Sequence, residues 1–365
     1  MAGRGVETIR RSVRCPAIPL SSAGHLACLH NAMTFTPSDR YLWDFWFAPR
    51  APRPDVPYHL FHLQAPQDLP DPERRHAVAA VGHAVSADLV HWKALPIALA
   101  AGAPGNWDDR AIWTGSIIER EGIYYFFYTG THRAESGLIQ RIGLATSTDL
   151  IHWRRHPANP LVVADPRWYE TLDLGGWPEE TCRDPWVVYS PAEAVYYMFF
   201  TARVNYGPAD GRGVIGCARS PDLLTWEMLP PVSPPGEFGY LEVPQVVSLR
   251  GRFYMLFCTA ASKHAAHRLA RTGSKGQWSG TGYLVAEKLT GPYRLADDAG
   301  LVADYQGTYY AGKLVEDPTG KLVFLAWRQW DAAGNFVGGL SDPAPIHVLA
   351  DGHLGVEMGR LWPGR

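Results

Sequence analysis

The chain has 365 residues, 46% of them hydrophobic and 19% charged, with a formal net charge of -2. That length is enough for a large core, and the near-neutral balance lacks the basic field that phosphate neutralisation needs, so nucleic acid is not an expected partner. No stretch approaches the ~18 consecutive apolar residues of a helical membrane span, and no membrane partner is expected.

The first 30 residues carry Arg4, Arg10, Arg11 and Arg14 but no continuous apolar region, so they read as a loose arm and not as a signal peptide. The five cysteines, Cys15, Cys28, Cys182, Cys217 and Cys258, show no metal-site spacing and no compact disulfide frame. Cys217 and Cys258 lie in apolar strand-like runs and read as small core residues. The expectation is a soluble, reduced, cytoplasmic protein with no metal and no cofactor. With 14 Trp, 17 Tyr, 13 Phe, 36 Gly and 30 Pro, the composition favours many short strands and turns.

From residue 31 onward a phrase recurs. Gly82-His83-Ala84-Val85-Ser86-Ala87-Asp88-Leu89-Val90-His91-Trp92 is echoed at Gly143-Leu144-Ala145-Thr146-Ser147-Thr148-Asp149-Leu150-Ile151-His152-Trp153. It returns at Gly216-Cys217-Ala218-Arg219-Ser220-Pro221-Asp222-Leu223-Leu224-Thr225-Trp226, and a degraded copy follows Gly282. An aromatic strand precedes each copy, at residues 58–62, 124–128, 196–200 and 253–257, and a fifth lies at 322–327. Each unit reads as an entry strand, an aromatic strand, a Gly-x-Ala-x-Ser strand and an Asp-Leu-x-x-Trp turn, which describes a propeller blade. Five such units predict an all-β, five-bladed β-propeller with a central funnel over residues 31–350, and a tail at 351–365. The repeated Asp residues are assigned to turn N–H groups and the repeated Trp residues to the space between blades.

Entry segments that break the repeat carry the chemistry. Leu42-Trp43-Asp44-Phe45-Trp46-Phe47 opens the first unit, Arg183-Asp184-Pro185-Trp186 the third, and Tyr240-Leu241-Glu242-Val243-Pro244 the fourth. Asp44 and Glu242 sit in apolar runs where an unpaired charge costs several kcal/mol. Three acids at equivalent blade positions therefore read as one site, against the plainer alternative of separate structural ion pairs. In the second unit Trp113 and Ser116 are placed to line a sugar pocket, while Asp109 reads as a turn residue beside Arg110. His59, His62, His83 and His91 follow strand alternation and read as core or turn residues. Arg203, Asn205, Tyr206, Lys263 and His264 follow aromatic strands, where loops reach the funnel rim.

The order of these motifs resembles glycoside hydrolase family 32 and its relative family 68, the fructan- and sucrose-acting five-bladed propellers, over roughly residues 35–345. The phrase from His83 to Trp92 is nearly a family 32 signature, Thr114-Gly115-Ser116 matches the family's Ser-Gly-Ser phrase, and Arg183-Asp184-Pro185 matches its RDP motif. Glu242 with Pro244 matches Glu-Cys-Pro, and Trp43-Asp44-Phe45-Trp46 is similar to the Trp-Asp-Ser-Trp of family 68. The resemblance implies Asp44 as nucleophile, Glu242 as general acid/base, and Asp184 as transition-state stabiliser positioned by Arg183. It implies a retaining β-fructofuranosidase-like hydrolase, with transfer as a variant, acting on sucrose, a short fructan or a related furanoside. Trp43, Trp46, Gln64, Trp113, Ser116 and Arg183 are the expected substrate contacts.

The sequence departs from the family where Asn-Asp-Pro-Asn-Gly is absent around Asp44, where Leu63 aligns with the family's Gln although Gln64 is adjacent, and where Val243 follows the acid/base. With about 20 residues after the fifth blade, the family's C-terminal β-sandwich is not expected. Two alternatives stand beside the retaining reading: an inverting, family 43-like arabinofuranosidase or xylosidase, and a non-catalytic sugar-binding propeller.

Overall fold

The computed structural model describes residues 33–50, 56–331 and 333–361. The expected N-terminal arm, with Cys15 and Cys28, lies outside these residues.

Five antiparallel sheets follow one another along the chain. Blade 1 takes the strands Arg40–Phe47, Tyr58–Pro66, Ala80–Ser86 and Trp92–Leu99. Blade 2 takes Ala111–Arg120, Ile123–Thr131, Gln140–Ser147 and Arg154–Arg155. Blade 3 takes Cys182–Ser190, Val195–Arg203, Gly213–Ser220 and Glu227–Leu229. Blade 4 takes Glu242–Leu249, Arg252–Thr259, Ser279–Ala286 and Arg294–Leu295, with Val302–Asp304 also paired to its third strand. Blade 5 begins with Tyr309–Glu316 and Leu322–Arg328, continues through Leu340–Ser341 and Ala344–Val348, and takes in Met33–Phe35 from the other end of the chain. Closing the ring with a strand from the far end of the sequence removes an exposed edge. Leu354–Val356 pairs with Ala344–Val348, so residues expected to form a tail extend the fifth sheet instead.

The repeated phrase has a physical cause in each copy. Ser86 Oγ accepts from the N–H groups of Asp88 (3.1 Å) and Leu89 (2.9 Å), and Asp88 Oδ1 accepts from those of Val90 (2.9 Å) and His91 (2.8 Å). The same bonds recur around Ser147 and Asp149, and around Ser220 and Asp222. They hold Leu89, Leu150 and Leu223 at positive φ (65°, 63° and 70°), a conformation costing roughly 1–2 kcal/mol for a leucine. Burial of each leucine side chain offsets that strain. Trp153 packs edge-on against Phe61 and Phe126 across the blade 1–blade 2 seam, and Trp226 against Phe127 of blade 2, as expected of blade spacers. The glycine that opens each phrase lies under a side chain: a Cβ at Gly216 would come within 2.4 Å of the Phe200 ring.

Candidate active site

Every innermost strand carries a register shift at the same level. The shifts fall between Trp43 and Phe45, Trp113 and Gly115, Arg183 and Trp186, Glu242 and Gln245, and Tyr310 and Lys313. A bulge of this kind re-aims the side chains beside it. Asp184, Val243 and Ala311 occupy it at positive φ (58°, 53° and 48°), strain of about 1–3 kcal/mol per residue. Two tiers result. Trp43, Trp113, Arg183, Glu242 and Tyr310 precede the bulges, and Asp44, Thr114, Asp184, Val243 and Ala311 sit in them. Asp44 and Asp184 are thus equivalent, whereas Glu242 stands one residue earlier, which corrects the expectation of three acids at one blade position.

The three carboxyl groups line a single cavity of about 410 Å³, together with Trp43, Trp113, Arg183, Leu63, Trp177, Tyr240 and Lys263. Thr114 Oγ1 donates to Asp44 Oδ2 (2.7 Å), and Trp327 Nε1 donates to Asp44 Oδ1 (3.0 Å). Asp184 is sealed, its side chain 4% exposed, and accepts from Thr201 Oγ1 (2.8 Å) and the Val243 N–H (3.2 Å), both at Oδ2. Its Oδ1 has no partner among the described residues. Glu242 retains 19% side-chain exposure and accepts from Arg183 Nη2 (2.7 Å) and Tyr310 OH (2.7 Å). Arg183 also donates to Gln140 (2.7 Å) and Glu179 (2.8 Å), so its fork is committed on three sides.

The proton affinities follow from this crowding. Burial raises all three acids, most explicitly Asp184, which is pushed up to about 6. Each is raised further by a neighbour's charge: Asp44 by Glu242, Asp184 by Asp44, and Glu242 by Asp184. The opposing pulls are specific. Thr114 and Trp327 favour ionised Asp44, while Arg183 and Tyr310 restrain the rise of Glu242.

Among the expected contacts, Trp43, Trp113 and Arg183 line the cavity, and three others do not. Trp46 is fully buried, stacked on Phe61 (6.4 Å) and packed against Phe126 (5.4 Å), because the pleat past the bulge turns it toward blade 2. Ser116 accepts the buried N–H of Val187 (3.2 Å), which ties blade 2 to blade 3; Thr114, two residues earlier, is the member of that phrase that faces the cup. Gln64 lies on the opposite face of its strand, over Gly82, and Leu63 fills the cavity wall instead. Of the rim candidates, Lys263 reaches the cavity. Arg203 is buried on Glu170 (2.8 Å) and under the Trp177 ring (3.7 Å), while Asn205, Tyr206 and His264 do not line it. Asp109 accepts from the Gly105 and Arg133 N–H groups, as a turn residue does. His59 and His83 bond to each other (2.9 Å), His62 is buried, and His91 caps an exposed turn with Asp88.

Sequence reasoning missed Tyr310 and Trp327 as partners of the acids, and Trp177, Glu179 and Tyr240 as cavity wall. A signal for two of them was present. Aligning the aromatic strands puts Leu63, Thr129, Thr201, Cys258 and Trp327 at one position, opposite the pre-bulge tier, with Tyr310 facing Trp327. Nothing local marks the loop residues Trp177 and Glu179.

In this five-bladed propeller two partly open carboxyls and one sealed carboxyl share the axial cup, and paired carboxyls are the groups that glycoside cleavage uses. Residues 55–337 match the family model "Glycosyl hydrolases family 32 N-terminal domain", and the chain belongs to that family. It is 28% identical over 340 residues to a levanase of Bacillus sp. (strain L7), covering 82% of this chain and 31% of the relative. It is 26% identical over 280 residues to a sucrose-6-phosphate hydrolase of Bacillus subtilis (strain 168), covering 74% of this chain and 51% of the relative. The chain therefore spans about a third to a half of the length of these relatives. An inulosucrase structure from Halalkalicoccus jeotgali superposes with a TM-score of 0.70 at 22% identity, over 88% of this chain and 87% of that one, which is a likeness of fold.

Proposed function

We propose that the protein cleaves β-fructofuranosidic bonds by a retaining double displacement. The observation that carries this reading is the meeting of Asp44, Asp184 and Glu242, from blades 1, 3 and 4, in one cavity, with the first and last partly open and the middle one sealed. Asp44, its charge favoured by two donors, attacks the anomeric carbon as the C–O bond to the leaving group breaks. Glu242, raised by burial, gives its proton to the leaving oxygen. It then takes a proton from the water that displaces Asp44, which restores both carboxyls. Asp184 Oδ1 accepts from a sugar hydroxyl, and such a bond strengthens as the ring gains oxocarbenium character.

Membership of family 32, and relatives named levanase and sucrose-6-phosphate hydrolase, support a fructose-containing substrate such as sucrose or a short fructan. Transfer to a second sugar in place of water uses the same two carboxyls. The free thiols Cys182, Cys217 and Cys258 support a reducing, cytoplasmic location.

The test is turnover of sucrose, short fructans and aryl furanosides by the wild type and by Asp44→Asn and Glu242→Gln, with NMR of the first-formed anomer. Retention is expected, together with loss of at least about 10³-fold in kcat for Asp44→Asn. Initial inversion eliminates the nucleophile role of Asp44, and full turnover by Asp44→Asn eliminates the site.

A further inference from the structure

Beneath the cup, blade 5 holds a cation that the scheme above does not use. Lys313 is 2% exposed, and its Nζ donates to the carbonyls of Val243 (2.9 Å) and Pro244 (3.2 Å). The ammonium lies 5.2 Å from the centre of the Trp186 ring. Among the described residues no carboxylate comes within 4.0 Å of it. A buried ammonium without a counter-ion is expensive, and two carbonyl acceptors return only part of that penalty. Cys258 is the ammonium's first electrostatic neighbour, and the positive charge favours ionised Asp44.

We propose that Lys313 is a positioning residue for the cup: its two hydrogen bonds pin the bulge from which Glu242 projects, and its ammonium adds a positive charge to the two hydrogen bonds that already favour ionised Asp44. The catalytic part of this inference rests on the roles assigned to Asp44 and Glu242 above.

Lys313 adds charge to what Thr114 and Trp327 supply by hydrogen bonding around Asp44. Glu242 from blade 4 and Asp184 from blade 3 are acids that oppose its ionisation. Thr114 from blade 2 and Trp327 from blade 5 donate hydrogen bonds but carry no charge. Cys258 and Tyr310 are a neutral thiol and a neutral phenol, both with pKa raised by burial. His76 lines the cavity, its own charge disfavoured by burial and by Arg75. Arg183 is engaged by Glu242 and Glu179, and Lys263 stands at the rim, over Trp177 and Tyr240. Burial draws the Lys313 pKa down to about 8, so the ammonium is charged throughout the range in which Asp44 ionises. The bonds from Nζ meet the carbonyls of Val243, which sits at positive φ, and of the proline after it, so they fix the strained turn directly behind Glu242.

Two variants separate charge from hydrogen bonding. Lys313→Gln keeps amide donors for the carbonyls and removes the charge; Lys313→Met removes both at similar volume. A ¹³C NMR titration of the Asp44 carboxyl, assigned with Asp44→Asn, reads the electrostatic claim without turnover. The expected result is an upward shift of that titration in Lys313→Gln, the direction that loss of a neighbouring positive charge gives. The acid limb of kcat/KM on an accepted furanoside should move with it, while Lys313→Met should add a pH-independent loss in kcat. An unmoved Asp44 titration in folded Lys313→Gln overturns the proposal, even where turnover falls. Full turnover by Asp44→Asn overturns the functional reading instead, and the carboxyl titration still reports on Lys313. If neither variant folds, ¹⁵N titration of Nζ in the wild type decides: an ammonium through pH 7 is expected, and a neutral amine at pH 6 overturns the proposal.

Discussion

The indole Nε1 of Trp327 donates to Asp44 Oδ1 at 3.0 Å across 283 residues of sequence. Blade 5 therefore supports the carboxylate that blade 1 presents, and the ring must close before Asp44 has both of its donors. Trp327→Phe keeps the ring and deletes the donor. A hydrogen bond to a charged group is worth about 1.5–3 kcal/mol, so kcat/KM should fall roughly 10- to 100-fold. The bond favours ionised Asp44, so its loss should also move the acid limb of the pH–rate profile upward. An unchanged acid limb would argue that Asp44 is not the group that ionises there.

Arg183 spreads one guanidinium over Gln140, Glu179 and Glu242. A lysine keeps the charge but not the planar fork, and its single nitrogen cannot reach all three. Arg183→Lys should lower kcat/KM on a furanoside by about 100-fold or more, with most of the loss in kcat because Glu242 is no longer aimed. A change confined to KM would show that Arg183 binds substrate without positioning the acid.

Thr114 and Ser116 are two residues apart on one strand and have opposite duties. Thr114→Val removes a donor to Asp44 and should cost activity, roughly tenfold or more, with little change in melting temperature. Ser116→Ala leaves the buried Val187 N–H without an acceptor and should cost about 1–3 kcal/mol of stability with kcat intact. Thermal melts and steady-state kinetics on the pair would exchange these outcomes if Ser116 were the sugar contact.

Asp184 is a stability liability held in place by the site. Its pKa is raised from 3.8 to about 6 by burial, so between those values the folded chain binds more protons than the unfolded one. Stability is then full below about pH 3.8, falls as pH rises toward 6, and stays reduced above it. At ~1.36 kcal/mol per unit the penalty at pH 7 is about 2–3 kcal/mol. Asn can accept the same two bonds through its amide oxygen, because Thr201 and Val243 both donate to Oδ2. Asp184→Asn should therefore melt several degrees higher at pH 7, with the gain shrinking at pH 4, and should lose most turnover. A variant less stable than the wild type at pH 7 would show that the charge is compensated by Arg183.

The repeat was legible without coordinates because each copy is local. Ser86, Asp88, Leu89 and Trp92 satisfy one another within seven residues, and that chemistry recurs at 147–153 and 220–226. Three full copies and a degraded fourth, with the aromatic strand before each and a fifth such strand at 322–327, yield the five blades. The breaks in the repeat at Asp44, Asp184 and Glu242 then mark the acids, since each is an ionisable group where scaffold alone would place none. Which way each side chain points was not legible. A bulge advances one strand against its partner and reverses the faces beyond it, so Thr114 turns to the cup and Ser116 away, while on the unbulged partner strand plain alternation sends Leu63 to the cup and Gln64 away. The support around the acids was hidden for a second reason. Trp327, Tyr310 and Lys313 act on residues from 68 to 283 positions distant, through contacts that exist only once blade 5 meets blades 1 and 4. Local pattern thus decided the architecture and the acids, whereas long-range register and ring closure decided their neighbours and their charge.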